Sequence, residues 1–338
     1  LIPELITKIA AEQSEGGKHF RKGLFPAFRM NRFWKYSRPD NNLFTSLQTA
    51  FILKQYLEYM PYEQKRACGR IIEGVVGCLS AYENKSGRLT YNFWQNGKYD
   101  HFPFGRFARY LKHFKLPDDV DDTALAFMIR GYTQKEMISL KELLSRHVHP
   151  DGVYDTWFGV NMPKEKDVCT LCNLMFLILE CGLSLNANDF ATLEYLNGVI
   201  ISGKYQTDTF WVSRHYGRVS LIFYHYARLI YSFDLPQLEE SRAVLIQQLP
   251  EVYQKENNSV DKLLLKITAA KLGVELPSGR YTNSSEKRTF YSFIGAPFAP
   301  LKSPLFKSVA HSPEAWIGWK CRAHELALEF ENQILQNR

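Results

Sequence analysis

Little in this sequence would take it out of water. No window of about 18 residues is both apolar and uncharged, so no membrane-spanning helix is expected. The longest apolar stretch, 171–183, is interrupted by Asn173 and Glu180. The cysteines are only six, Cys68, Cys78, Cys169, Cys172, Cys181 and Cys321. They sit in helix-like apolar surroundings rather than in a loop-rich framework, and no secretory signal is recognisable, so reduced thiols in the cytoplasm are expected. A Gly-rich phosphate loop, a Gly-x-Ser-x-Gly elbow, a His-Glu-x-x-His pair and a GxGxxG after a strand are all missing. Nucleotide-dependent chemistry and serine hydrolysis therefore have no support.

A concentrated basic stripe is lacking too. The 42 Lys and Arg against 35 Asp and Glu leave a net charge of +7, but it is dispersed, which speaks against a nucleic-acid partner. The densest stretch is 18–38, where Lys18, Arg21, Lys22, Arg29, Arg32, Lys35 and Arg38 alternate with Phe20, Phe25, Phe28, Phe33 and Trp34. It reads as an N-terminal arm, 1–38, laying its rings on the body while its cations reach outward. The alternative is a patch for anionic headgroups or a diphosphate, and with it peripheral membrane contact.

What the chain has in plenty is apolar surface. Of its 338 residues 45% are hydrophobic and 14% aromatic, enough to offset chain entropy and exclude disorder as the main state. That surface is arranged in strongly apolar helical segments at 41–59, 119–132, 167–183, 215–233, 260–272 and 314–335, each opened by polar or proline-containing punctuation. More polar helices are expected between them at 62–81, 134–148, 188–201 and 238–254. Alternation at a period of about 45 residues marks stacked helical hairpins. The strong helices are apolar nearly all round and so need burial on both sides. The expectation is an all-α fold, a single (α/α)6 toroid over 1–338. It would carry a small strand-like insertion near 82–107 and a long Gly-, Pro- and Ser-rich loop, 273–312, that covers one mouth.

In such a ring the inner helices bring their N-termini, with free N–H groups and the positive dipole ends, into one cup. The richest start is Leu116-Pro117-Asp118-Asp119-Val120-Asp121-Asp122-Thr123-Ala124, with four carboxylates in five residues. One or two acids suffice to cap a helix. Crowding more of them in a partly buried mouth raises at least one pKa, and a carboxylic acid kept neutral can donate a proton.

Asp119-Val120-Asp121-Asp122-Thr123-Ala124 resembles the DxDD-T-A motif of class II terpenoid cyclases, which belong to an (α/α)6 superfamily shared with protein prenyltransferases. The resemblance covers about six residues in motif and most of the chain in architecture. It implies that Asp121 protonates an alkene or epoxide, that Asp119 and Asp122 tune it, and that aromatic walls stabilise the cation. The substrate would be an apolar isoprenoid, with no partner protein and no cofactor. The repeated Gln–Trp motifs of triterpene cyclases and a second helical domain are not recognisable. Two alternatives involve a metal. Asp118-Asp119-x-x-Asp122 fits a spacing that holds a magnesium diphosphate in other prenyl enzymes, and Asp167, Cys169 and His215 match the Asp-x-Cys plus distant His that binds zinc in prenyltransferases.

Further pocket residues are expected from rings and polar groups just before the inner helices: Asn42, Tyr91, Trp94, Tyr154, Asp155, Trp157, Trp211, Arg214 and His215. Rings of this kind suit a carbocation, an isoprenoid tail or a sugar face. A carbohydrate-active hydrolase or lyase would pair Asp121 or Asp122 with Asp155 or Asp208 across a wide wet groove. A non-catalytic binding barrel would instead have its mouth plugged and its acids serving as caps.

Overall fold

In the computed structural model, which describes residues 1–95, 116–159, 164–277, 290–299 and 308–337, apolar helices start where side-chain caps stand in front of them. Asp119 precedes α4 (Val120–Arg130) and accepts the Asp122 N–H at 2.6 Å. Asp167 precedes α6 (Val168–Glu180) and accepts the Cys169 N–H at 3.0 Å. Asn258 does the same for α12 (Ser259–Leu272). Such a cap is worth about 1 kcal/mol, and the buried run behind it supplies the rest. In α4 and α6 that run is unbroken from Val120 to Ile129 and from Val168 to Ile178.

These helices pack in order. With α2 (Phe44–Gln55), α10 (Val219–Ser232) and a last helix, α13 (Arg322–Gln336), the contacts run α2–α4–α6–α10–α12–α13 and return to α2. The members are parallel. The first turns of α4 and α6 meet where Thr170 bonds Asp121, and those of α10 and α12 where Ser220 bonds Asp261. At their other ends Lys54 of α2 donates to the Met128 carbonyl of α4 at 2.5 Å. Outside them lie α1 (Ile2–Glu12), α3 (Tyr62–Val76), α5 (Gln134–Leu144), α7 (Ala187–Ile201) and α11 (Glu239–Lys255). Two single-turn helices, α8 (Lys204–Thr207) and α9 (Thr209–Val212), link α7 to α10.

The fold is not all-α. Four strands, β1 (Ala27–Asn31), β2 (Tyr36–Asp40), β3 (Phe293–Gly295) and β4 (Ile317–Cys321), form an antiparallel sheet in the order β2-β1-β4-β3. The expected arm 1–38 is thus α1 and a hairpin, and only the later part of the expected helix 314–335 is helical. The cause is tertiary pairing: Ala27 faces Cys321 and Met30 faces Gly318 across nearly the whole chain. Of the expected insertion at 82–107, residues 96–107 lie outside the described residues. The rest forms isolated bridges, Glu83 with Tyr91 and Tyr91 with Asp119. Of the expected loop 273–312, residues 278–289 and 300–307 lie outside them as well.

The sheet lies over the N-terminal ends of the inner helices. Phe293 of β3 touches Phe44 at 5.0 Å, Phe93 at 5.2 Å and Trp319 of β4 at 5.6 Å between ring centroids. Gly217, at φ +61°, lets the chain before α10 turn under β3; a Cβ there would meet Ile294 Cδ1 at 2.5 Å. The C-terminal ends enclose a different cluster. Glu331 of α13 accepts from Tyr56 at 2.8 Å and from Tyr224 at 2.7 Å, and pairs with Lys271 Nζ at 3.0 Å, all of them buried.

Candidate active site

Extended segments, not helices alone, bring the acids together. Asp119 donates its N–H to the Tyr91 carbonyl, Val120 to that of Thr156, and Thr156 to that of Glu165. The four segments, at 91, 119–120, 156 and 165, lie side by side over the first turns of α4 and α6. Asp119, Asp121, Asp122, Thr156, Trp157, Thr170, His215, Phe44 and Phe293 then line one cavity of about 10 Å³, the space of a single water.

Asp121 is the best-connected of the acids. Its Oδ1 accepts from Asn173 Nδ2 at 2.5 Å; its Oδ2 accepts from Tyr216 Oη at 2.5 Å and from Thr170 Oγ1 at 3.2 Å. Burial pushes its pKa up, against those three hydrogen bonds and the nearby Arg228, which donates to Asn173 Oδ1. Asp119 is also pushed up by burial; Asp122 is pushed up by burial and then by the neighbouring Asp119. Asp122 Oδ1 has no hydrogen-bond partner among the described residues. The site therefore holds protons that an exposed aspartate would have lost.

Opposite them stands a charged pair. His215 Nε2 lies 3.0 Å from Glu165 Oε1, and Arg214 reaches Glu165 Oε2 at 3.1 Å. Burial alone would push Glu165 up, but His215 and Arg214 outweigh it and hold it at about 2. Burial likewise opposes a charge on His215, yet Glu165 and Asp167 raise its pKa. The imidazole stacks on Phe293 at 5.2 Å and meets Trp157 edge-on at 5.2 Å.

The other expected residues are scattered around this centre. Asn42 accepts from the Thr45 N–H at 3.1 Å and donates to Asp40, so it fastens the start of α2. Tyr91 contributes its backbone carbonyl rather than its ring. Trp94 donates to Asp40 at 3.0 Å and packs below the sheet; it lines a separate groove of about 430 Å³ with Lys18, His19 and Arg21. Tyr154 donates to Asp189 at 2.8 Å, anchoring its loop to α7. Asp155 accepts the Glu165 N–H at 3.1 Å. Trp211 is 39% exposed, outside the cavity, and Asp208 is exposed beside it, because the α8–α9 turns hold both at the surface. His215 precedes α10 rather than starting it.

The metal alternatives fit poorly. Asp167 Oδ1 accepts from Cys169, Thr170 and Ser213, and Oδ2 from the His215 N–H at 2.8 Å, so its oxygens serve as a cap. Among the described residues the Cys169 thiol does not join the converging ligand groups; it accepts from Ser213 Oγ at 3.2 Å. Glu165, Asp167 and His215 are the acids and imidazole that converge, and Arg214 beside them disfavours a cation. Asp118, which a diphosphate-bound magnesium would need, turns its carboxylate away to Thr90 at 2.7 Å and to Asn84.

Sequence reasoning misses Thr170, Asn173, Glu165, Tyr216, Phe44 and Phe293. Thr170 and Asn173 leave a trace, since they are polar residues three apart on a helix otherwise apolar all round. Tyr216 and Phe293 leave none, because only the turn at Gly217 and the sheet bring them in.

The class of fold is now definable: a mostly helical chain of alternating inner and outer helices with a small antiparallel sheet. It is similar to a type II terpene cyclase, MstE from Scytonema. An arginine-to-alanine variant of that protein, in complex with geranylgeranyl dihydroxybenzoate, superposes with a TM-score of 0.50 at 9% identity, over 80% of this chain and 74% of that one. An apo tyrosine-to-phenylalanine variant gives 0.50 at 10% identity over the same shares. No family model and no curated protein matches the sequence. Among the described residues no helix is long and apolar enough to cross a membrane.

Proposed function

We propose that this chain is an isoprenoid cyclase that starts its reaction by protonating a carbon–carbon double bond, with Asp121 as the general acid. We read it as one domain, a closed (α/α)6 toroid, which the cyclic packing order of the inner helices supports. The observation that carries the reading is a buried acid of raised pKa on the wall of an aromatic-lined cavity. Asp121 gives its proton to one alkene carbon as the π electrons form the new C–H bond, leaving a tertiary carbocation and a carboxylate. Tyr216, Asn173 and Thr170 hydrogen-bond that carboxylate, so they favour the proton's departure. Asp119 and Asp122 share one region of like charge and keep the cluster protonated. Ring closure and loss of a proton to water follow, and a proton returned from water to the Asp121 carboxylate restores the acid and completes the balance.

A cavity of about 10 Å³ admits no polyene. The reading therefore requires Phe293 and the strand that carries it to draw back from Phe44 and Trp157. The same cavity disfavours the wide groove of a carbohydrate-active enzyme and favours a second reading, a non-catalytic barrel with its acids as caps. The test is product analysis with geranylgeranyl diphosphate, squalene-like polyenes and their epoxides. Geranylgeranyl dihydroxybenzoate, the substrate bound by the similar structure, is included. Cyclised product is expected from the wild type, falling about 10²–10⁴-fold in Asp121→Asn. Undiminished turnover in the variant removes Asp121 from its role. No product and no binding of any of these compounds leaves the non-catalytic reading.

A further inference from the structure

At the end of the β1–β2 hairpin, residues 32–35 are all exposed. Phe33 is 66% and Trp34 69% exposed, with their rings edge-to-face at 5.0 Å, and Arg32 and Lys35 flank them. This tip is held rather than loose. The Trp34 N–H donates to Asn31 Oδ1 at 2.9 Å, and Asn31 Nδ2 in turn donates to the Glu314 and Trp316 carbonyls at 2.7 Å each. Two large rings are thus presented to solvent on a rigid turn at a cost in apolar exposure that folding does not require.

The pattern continues along the outer face of the sheet. Phe28, itself half-exposed, stands opposite Lys320 and packs on Phe20 at 5.7 Å. Phe20 and Pro39 then lead into the groove lined by Lys18, His19 and Arg21. Rings and cations thus stand together at the tip and again around Phe28, Lys320 and the groove. The acids near it are Glu314, bonded to Ser312, Glu325, paired with Lys320 and Arg322, and Glu15, paired with Lys22.

We infer that this hairpin is a membrane-surface anchor: Phe33 and Trp34 enter the interfacial region of an anionic lipid leaflet while Arg32, Lys35 and the Lys18–Arg21 groove bind its headgroups. Aromatic rings partition to the headgroup level, and basic side chains beside them are attracted to anionic lipid. A protein partner fits less well, since the centres of protein interfaces are depleted of lysine, whereas here cations flank the rings directly. This inference is independent of the chemistry at Asp121.

The experiment is co-sedimentation of the full chain with phosphatidylcholine vesicles, with and without about 30 mol% phosphatidylglycerol. Quenching of tryptophan fluorescence by lipids brominated in the acyl chain is read in parallel. Binding is expected to the anionic vesicles only, with quenching, and is weakened by salt. The double variant Phe33→Ser/Trp34→Ser is expected to lose at least about tenfold in partitioning and most of the quenching. Lys35 has φ +48°, so Lys35→Gly removes the charge while easing the turn; it is expected to lose about fivefold, the value of one basic side chain. Unchanged circular dichroism keeps both variants interpretable. Binding that is absent, equal on neutral vesicles, or unaltered in the double variant overturns the inference. So does a wild-type dimer that the double variant abolishes, which would make the tip a contact with a second copy.

Discussion

The two ends of the helix ring bury charge in opposite ways. At the N-terminal end Asp119, Asp121 and Asp122 crowd together, and burial drives their pKa values up. At the C-terminal end a lone carboxylate, Glu331, has Lys271, Tyr56 and Tyr224 gathered on it. The α2 helix, with Phe44 at one end and Tyr56 just past the other, sets these clusters about 18 Å apart at 1.5 Å per residue. An acid supplied with a buried cation is a structural joint. An acid left among its own kind, with a cavity beside it, is poised to give up a proton. On the proposed function, the contrast separates the end that would carry chemistry from the end that ties the ring together.

Substitutions can break that contrast. The largest expected effect is from Glu331→Leu, which strands Lys271 in the core and should cost about 3–5 kcal/mol in denaturant unfolding. A loss below about 1 kcal/mol would mean the far end is no joint. Next comes a matched pair, Tyr224→Phe and Tyr216→Phe. The first removes a hydrogen bond to the ion-paired Glu331, worth about 1.5–3 kcal/mol; the second removes one of the three to Asp121 and leaves the other two, worth about 0.5–1.5 kcal/mol. Equal losses would erase the distinction between the ends.

The smallest effect sharpens it through pH. A carboxylate whose folded pKa is raised binds more protons folded than unfolded, so its contribution is fully present below the ordinary value of 3.8 and is lost as pH rises through the folded one. His215, raised as well, acts in the same direction from 6.5 upward, whereas Glu165, held at about 2, matters only in acid. Wild-type stability should therefore fall as pH rises from about 3.8 through about 7, the value to which burial pushes Asp119. Asp122→Asn, which removes a group whose proton affinity burial and Asp119 raise on folding, should flatten the fall. Identical slopes in thermal unfolding across that range would place the protons elsewhere.

The inner helices are legible wherever a capping residue stands before an apolar run. The expected starts at 119, 167 and 260 lie within a residue of α4, α6 and α12. Where no such cap exists the expected start slips. Arg218 makes no side-chain cap, and α10 begins at Val219 rather than at 215. Cys321 makes none either, and the strand before it carries a pattern that passes for helix. The sheet is illegible for a different reason. Its strands are at most five residues long, β1 alternates an exposed phenylalanine with a buried arginine, and its partner β4 lies near the other end of the sequence. Of the site, the clustered aspartates and His215 stand out because their types announce chemistry, whereas Glu165 does not. Asp121's partners do not, because a threonine, an asparagine and a tyrosine gain meaning only from the carboxylate they face.

The pairing of β1 with β4 has one more consequence, in time rather than in space. During synthesis the β1–β2 hairpin emerges long before β4, so its pairing with β4 must wait for the intervening residues. Until then the roof over Asp121 cannot be laid, and the nascent acids remain in contact with bulk solvent. The drying of the cup therefore has to follow the synthesis of β4.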